Sequence, residues 1–210
     1  MADYCTFLEI KQSMPDSTLA TMAGTEHATA FSAMITSASR LIDREVGRWA
    51  NYFYPSTDGE TRYFDGSGSH VQEIDECLSI TTLAVSESGE ICSTGYTTWV
   101  DTEYYVVPYN YAALGQPFYK LRLDRLKGTK SVFYGYTKGI AITGIFGYSL
   151  TPPEDIKQAC KIQVMRWYMR AKQAWQDAGA SVELGQMIYV QQLDPDVKNI
   201  LAPYQIGNLV

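Results

Sequence analysis

Residues 139–168 read GIAITGIFGYSLTPPEDIKQACKIQVMRWY and change periodicity within a few positions. The first part, Gly139 to Phe146, is rich in β-branched and aromatic residues with glycine interruptions, which predicts a strand. Pro152 and Pro153 then stand where a helix can start without losing a hydrogen bond, and Glu154 and Asp155 place negative charge at its positive end. From there Ile156, Cys160, Val164, Trp167, Tyr168, Ala171 and Trp175 recur at helical spacing, so a long helix is expected over 153–176, ending near Gly179.

Upstream of this junction the strand signals continue. Runs at 61–64, 71–74, 79–85, 97–100, 104–107, 119–123 and 132–136 are separated by Asp58-Gly59, Asp65-Gly66-Ser67-Gly68, Ser88-Gly89 and Lys127-Gly128. Strands this short and frequent predict an antiparallel lobe, either a sandwich or a small barrel. Earlier still the helical rhythm reappears. Phe31, Met34, Ile35, Ala38, Leu41, Ile42, Val46 and Trp49 form an apolar stripe, which predicts a helix over about 25 to 49. Thr6 followed by Glu9 has the spacing of a capping box for a short first helix, and a short last helix is expected at 196–201, capped by Asp196.

The expected fold class is therefore α+β. Two long helices and short terminal helices form a bundle from residues 1–52 and 151–210, with the β lobe of residues 53–150 inserted between them. Trp49 and Trp167 lie on the two apolar stripes, so at least one is expected inside the bundle.

Composition narrows the function. The 210 residues carry 17 Lys+Arg against 23 Asp+Glu, a formal charge of -6, and a chain of that sign gains little from phosphate neutralisation. The four cysteines have no zinc-ligand spacing. There is no signal-peptide pattern, and no apolar run approaches the roughly 18 residues that span a bilayer. These features predict a soluble protein with free thiols, made in a reducing cytoplasm. Half of the 16 tyrosines fall between positions 104 and 148, a bias toward strands and contact surfaces.

No set of residues has the pattern of a catalytic centre. His27 and His70 are the only histidines, which excludes a three-histidine metal site. Glu73, Asp75 and Glu76 resemble solvated charge at a strand end more than a carboxylate pair for glycoside hydrolysis. Asp58, Glu60 and Asp65 lack the alternating acids of a calcium loop. The glycines at 135, 139, 144 and 147 are not followed by the helix that a dinucleotide fingerprint requires. No enzyme activity and no cofactor are expected. Charge is patterned instead. Residues 56–103 hold ten acids and one base, whereas residues 104–148 hold six bases and one acid. These halves either neutralise each other within the lobe or join one copy to the next, with Glu73, Asp75 and Glu76 facing Arg122, Arg125 and Lys127 across a subunit interface. A glycan-binding module using the exposed tyrosines is the alternative.

Eight segments carry a family resemblance in order. They are YCTFLEIK (4–11), SASRLIDREVGRW (37–49) with FYP (53–55), TRYFDGSG (61–68), LSITTLAVSESG (78–89), ITGIFGYS (142–149), TPPEDIKQACKI (151–162) and DPDVKNILAPY (194–204). Together they resemble the gp6-like head-tail connector, or adaptor, proteins of tailed bacteriophages. The resemblance implies a closed ring of about twelve copies beneath the portal protein, extending the DNA channel and offering a platform to a downstream neck or tail-completion protein. Duplex DNA would pass without tight binding and no membrane would be involved. The protein would be made in the bacterial host cytoplasm and end in the virion neck. In that family the C-terminal segment reaches the portal. The apolar residues Val197, Ile200, Leu201, Tyr204, Ile206 and Leu209 are accordingly expected to dock there, with their own bundle as the other possible cover.

Overall fold

In a computed structural model, residues 3–13, 25–89, 95–176 and 193–205 are described. The chain divides into two compact units, one from residues 1–53 with 152–210 and one from residues 54–151. The elements are α1 (Phe7–Gln12), α2 (Thr25–Glu45), β1 (Glu60–Phe64), β2 (Val71–Ser86), β3 (Tyr96–Trp99), β4 (Tyr104–Val107), α3 (Tyr111–Leu114), β5 (Phe118–Leu123), β6 (Ile140–Phe146), α4 (Glu154–Gln176) and α5 (Pro195–Leu201), followed by a 3-10 turn at Ala202–Tyr204. The fold is mixed α+β with an antiparallel sheet.

The helical unit is built by its periodicities. Thr6 closes α1 with the expected capping box, its Oγ1 accepting from the Glu9 N–H while the Glu9 carboxylate accepts from the Thr6 N–H. On α2, Phe31, Ile35, Ala38 and Ile42 are buried, as is Val46 just beyond its end; on α4, Ile156, Ala159, Cys160 and Val164 face them. Aromatic rings join these stripes, with Phe31 4.9 Å from Tyr168 and 5.1 Å from Phe7.

Helix α2 ends at Glu45, earlier than the apolar rhythm suggested. Gly47 takes φ 74°, and the N–H groups of Arg48 and Gly47 return to the carbonyls of Asp43 and Arg44 at 2.9 and 3.1 Å, the two bonds of a Schellman stop. Trp49 thus falls beyond the helix and is only half-buried, as is Trp167. Neither indole is in the core, because Trp167 lines a groove of about 420 Å³ with Thr36, Ser37, Arg40, Leu41 and Arg44. The large buried rings are Tyr4, Phe31 and Phe53 instead. The expected end of α4 near Gly179 and the Trp175 side chain lie outside the described residues.

A polar network fixes the N-terminal segment to this core. The Tyr4 N–H donates to Ser39 Oγ at 3.0 Å, its hydroxyl donates to the Asp43 carboxylate, and the same hydroxyl accepts from the Phe53 N–H at 3.2 Å. Asp43 also accepts from the Asn51 N–H at 3.0 Å and pairs with Arg40 at 3.4 Å. Burial raises the Asp43 carboxyl above its usual range, opposed by the bond from Tyr4 and the charge of Arg40.

In the lobe, one sheet runs β1-β6-β2-β5-β4, with β3 added to β2. Two separate strands were expected at 71–74 and 79–85, but β2 is continuous across 71–86. Register shifts between Glu73 and Cys77, Cys77 and Ser79, and Ile80 and Thr82 break the alternation that would have revealed one strand. These irregularities bend β2 strongly. An extended chain would separate Ser69 from Leu83 by about 46 Å. Phe133 nevertheless touches both neighbourhoods, its N–H donating to Ser69 O at 2.8 Å while its ring lies 5.3 Å from Trp99, the partner of Leu83.

The sheet therefore coils around Leu83, Val85, Leu121, Phe133, Ile140 and Ile142, all buried. Gly144 permits the tight crossing of β6 and β2, since a Cβ there would sit 2.2 Å from Ser79 O. The strand expected at 132–136 is an irregular extended segment. Gly66 binds Tyr136 O at 3.0 Å and lies so close to Tyr134 O that a Cβ would meet it at 1.6 Å. α3, a single turn ended by Gly115 at φ 61°, is too short to leave a periodic signal.

Candidate assembly surfaces

Two regions hold the residues expected to make contacts. The first is the C-terminal segment of the helical unit. Asp194, not Asp196, caps α5: its Oδ1 accepts from the Asp196 N–H at 3.0 Å, and Pro195 occupies the first turn. Asp194 also pairs with Arg166 of α4, and its N–H donates to the buried Gln163 at 3.3 Å. These bonds seat α5 on α4, burying Leu193, Val197 and Leu201. Val197 and Leu201 were expected to dock on a partner, Leu201 with Tyr204 as the anchors; both Val197 and Leu201 are fully buried. Ile200 and Tyr204 are half-buried. Tyr204 donates to Asp155 Oδ2 at 3.0 Å and sets its ring edge-on to Phe53 at 5.2 Å. Ile206 and Leu209 lie outside the described residues.

The second region is the charged face of the lobe. Antiparallel pairing sets Arg122 opposite Val71 and Lys120 opposite Glu73, so these four side chains share one face of β2 and β5. Lys120 pairs with Glu73 at 2.9 Å and Lys130 with Glu87 at 2.6 Å, each joining the basic half to the acidic half. Arg62 takes Asp75 at 2.7 Å. The acidic and basic sets thus meet within the lobe at the Lys120–Glu73 and Lys130–Glu87 pairs, which neutralise two of the six bases of residues 104–148. The Glu76 carbonyl accepts from the Gly147 N–H at 2.9 Å.

Arg122, Arg125 and Lys127 are different. All three are exposed, and none forms an ion pair among the described residues. Arg125 and Lys127 belong to a loop fastened by Asp124 and Glu103. Asp124 Oδ1 accepts from the N–H groups of Leu126 and Lys127 at 2.9 and 3.1 Å. The Glu103 carboxylate accepts from Thr129 N–H at 2.7 Å, Thr129 Oγ1 at 2.9 Å and Lys130 N–H at 3.0 Å. Desolvation acts against the Glu103 charge, but these bonds outweigh it and hold its carboxyl below the usual range. Glu103 was not identified from sequence, because its partners lie 26 and 27 residues away and nothing local marks the contact.

The aromatic surface is made of pairs. Tyr105 and Tyr109 stack at 4.9 Å, Tyr134 and Tyr136 at 6.0 Å, and Tyr63 lies 6.4 Å from Tyr96. Among the described residues no cluster of His, Cys, Asp and Glu is placed to hold a metal ion, and no helix is long and apolar enough to cross a membrane.

No family model matches the sequence, and no curated protein matches it. Among solved structures, a chain in the neck of a native GTA particle, computed with C12 symmetry, superposes with a TM-score of 0.48 and 12% identity, covering 91% of this chain and 90% of that one.

Proposed function

We propose that this chain is a structural head-tail connector of a tailed bacteriophage virion, forming a ring beneath the portal that extends the DNA channel and carries the next neck or tail protein. The observation that carries this reading is the convergence in space of the segments that resemble the connector family. Tyr4 of the first segment is bonded to Asp43 of the second and to Phe53 of FYP. Cys5 lies 3.2 Å from Cys160 of the TPPEDIKQACKI segment, and Tyr204 of the last segment is bonded to Asp155 of that same stretch. In the lobe, TRYF, ITGIF and LSITTLAV form the adjacent strands β1, β6 and the second half of β2. Segments scattered over the sequence thus meet within each of the two units, which supports the reading that they belong to one architecture.

The structure changes where contacts should be sought. With Val197 and Leu201 inside the helical unit, portal docking passes to Ile200, Tyr204, Ile206 and Leu209. The subunit interface passes to the cations Arg122, Arg125 and Lys127, which have no ion-pair partner among the described residues, rather than to Glu73 and Asp75, which are paired. Glu76 stays with the interface proposal. The chain acts by contact, with no reaction of its own.

The test is co-sedimentation with the portal protein, using the whole chain and a chain truncated after Gln205. Binding by the whole chain and loss on truncation support docking through the last residues. Undiminished binding after truncation rejects Ile206 and Leu209 and leaves docking to Ile200 and Tyr204, which Tyr204→Ala then tests, and no binding by the whole chain rejects the connector reading. A second reading, glycan binding by the stacked tyrosine pairs, predicts a tyrosine fluorescence change on titration with sugars.

A further inference from the structure

Leu126 is 97% exposed, the most exposed large apolar side chain among the described residues. Its loop is nevertheless tightly built. Asp124 accepts from Leu126, Lys127 and Gly128, and Glu103 braces the loop's far end through Thr129 and Lys130. Gly128 lets these groups approach, since a Cβ there would come within 2.7 Å of Asp124 O and 2.8 Å of Glu103 Oε2. The leucine is held outward by a rigid frame, so its hydration cost is not relieved by rearrangement of the loop.

Its surroundings have the composition of an interface centre. Arg125 and Lys127 flank it. On the adjoining ladder Arg122 stands opposite Tyr105, whose ring stacks at 4.9 Å on Tyr109, itself 62% exposed. Tyr109 lies within electrostatic reach of both Arg122 and Asp124, which places the tyrosine pair beside the loop. Tyrosine and arginine are enriched among the residues that dominate binding energy in protein interfaces, an exposed leucine adds apolar area to bury, and a pre-ordered loop lowers the entropy cost of docking.

Charge selects the occupant. The three cations of this patch have no ion-pair partner among the described residues, and setting them aside takes the formal charge of the chain from -6 to -9. A second copy therefore meets this patch with a strongly acidic remainder, which favours patch-to-remainder contact and disfavours patch-to-patch contact. Such a contact is heterologous and closes into a ring when its rotation allows. We propose that the face formed by Tyr105, Tyr109, Arg122 and the 124–128 loop, with Leu126 as its anchor, is the surface by which one copy grips an acidic surface of the next. This rests on the ring reading above and assigns its cationic side.

The test is sedimentation velocity of the full chain over a hundredfold range of concentration, at low and high salt, for the wild type, Leu126→Asp, the double variant Arg125→Glu/Lys127→Glu and the control Leu150→Asp, which alters another exposed leucine of the same unit. The inference expects concentration-dependent association of the wild type that salt weakens. Both patch variants should associate at least about tenfold more weakly, with melting temperatures unchanged, and the control should behave as wild type. If Leu126→Asp proves unfolded, the double variant decides the matter. Association of the folded patch variants equal to wild type overturns the inference and leaves the ring reading standing. Equal loss in the control overturns Leu126 as the anchor. A wild type that stays monomeric throughout overturns both.

Discussion

Tyr4 joins three parts of the helical unit through one hydroxyl, donating to Asp43 and accepting from the Phe53 N–H. Replacing it by Phe leaves a buried carboxylate short of a donor and a buried N–H without its acceptor. Tyr4→Phe should lower stability by about 1 to 3 kcal/mol in urea unfolding, and an unchanged midpoint would show that water replaces the hydroxyl. The thiols give a second residue-scale expectation. The hydrogen bond with Cys160, with burial, pushes the Cys5 thiol far above its usual range, and burial pushes Cys77 up to about 12. All three are buried, so near neutral pH the native chain should expose at most one of its four thiols to an alkylating reagent, with the rest labelled only after unfolding. Rapid native labelling of Cys5 or Cys160 would contradict this packing. The sequence revealed Thr6 and Glu9 because a capping box is local. It revealed nothing of Tyr4 with Asp43, 39 positions apart.

At the scale of elements, α5 depends on its cap. Asp194→Ala removes both the bond to Asp196 N–H and the pairing with Arg166, and the cap alone is worth about 0.5 to 2 kcal/mol. The loss should appear in the unfolding midpoint of the helical unit, while Asp196→Ala, at the position favoured by sequence, should cost less. The sequence reading puts the cap at Asp196, because it sets Pro195 ahead of the helix; the actual start at Pro195 moves the cap to Asp194. The loop braced by Glu103 gives a pH signature. Its carboxyl is held below the usual range, so its stabilising contribution is present above the unfolded carboxyl pKa and is lost as pH falls through the folded value. Glu103→Gln should lower the melting temperature at neutral pH and narrow the gap from wild type in acid; a gap independent of pH would refute the charged role. β2 was legible only as two strands because its bulges break the period-2 pattern. The segment at 132–136 has strand composition yet makes no ladder: Phe133 N–H donates to Ser69 O, Tyr136 N–H turns back to Tyr134 O, and Tyr136 O accepts from Gly66, whose close approach takes the place of a paired strand.

For the whole molecule, helix–lobe–helix order and an α+β fold were readable because the period changes abruptly at Thr151 and again near Tyr52. The charge halves were readable as a count but not as a geometry: pairing of β2 with β5 puts Glu73 and Lys120 face to face, a fact that depends on register. A net charge of -6 with a small cationic patch predicts weak duplex binding, with a dissociation constant above about 10⁻⁶ M at physiological salt; a nanomolar, salt-sensitive complex in a fluorescence titration would be incompatible with a passive conduit. The central claim is that this chain is a ring component of the virion neck. Electron cryomicroscopy of purified particles tests it most directly. The account predicts a closed ring of this chain, its lobe and helical unit both recognisable, between the portal and the tail. Particles whose head-tail junction is complete without this chain would contradict it.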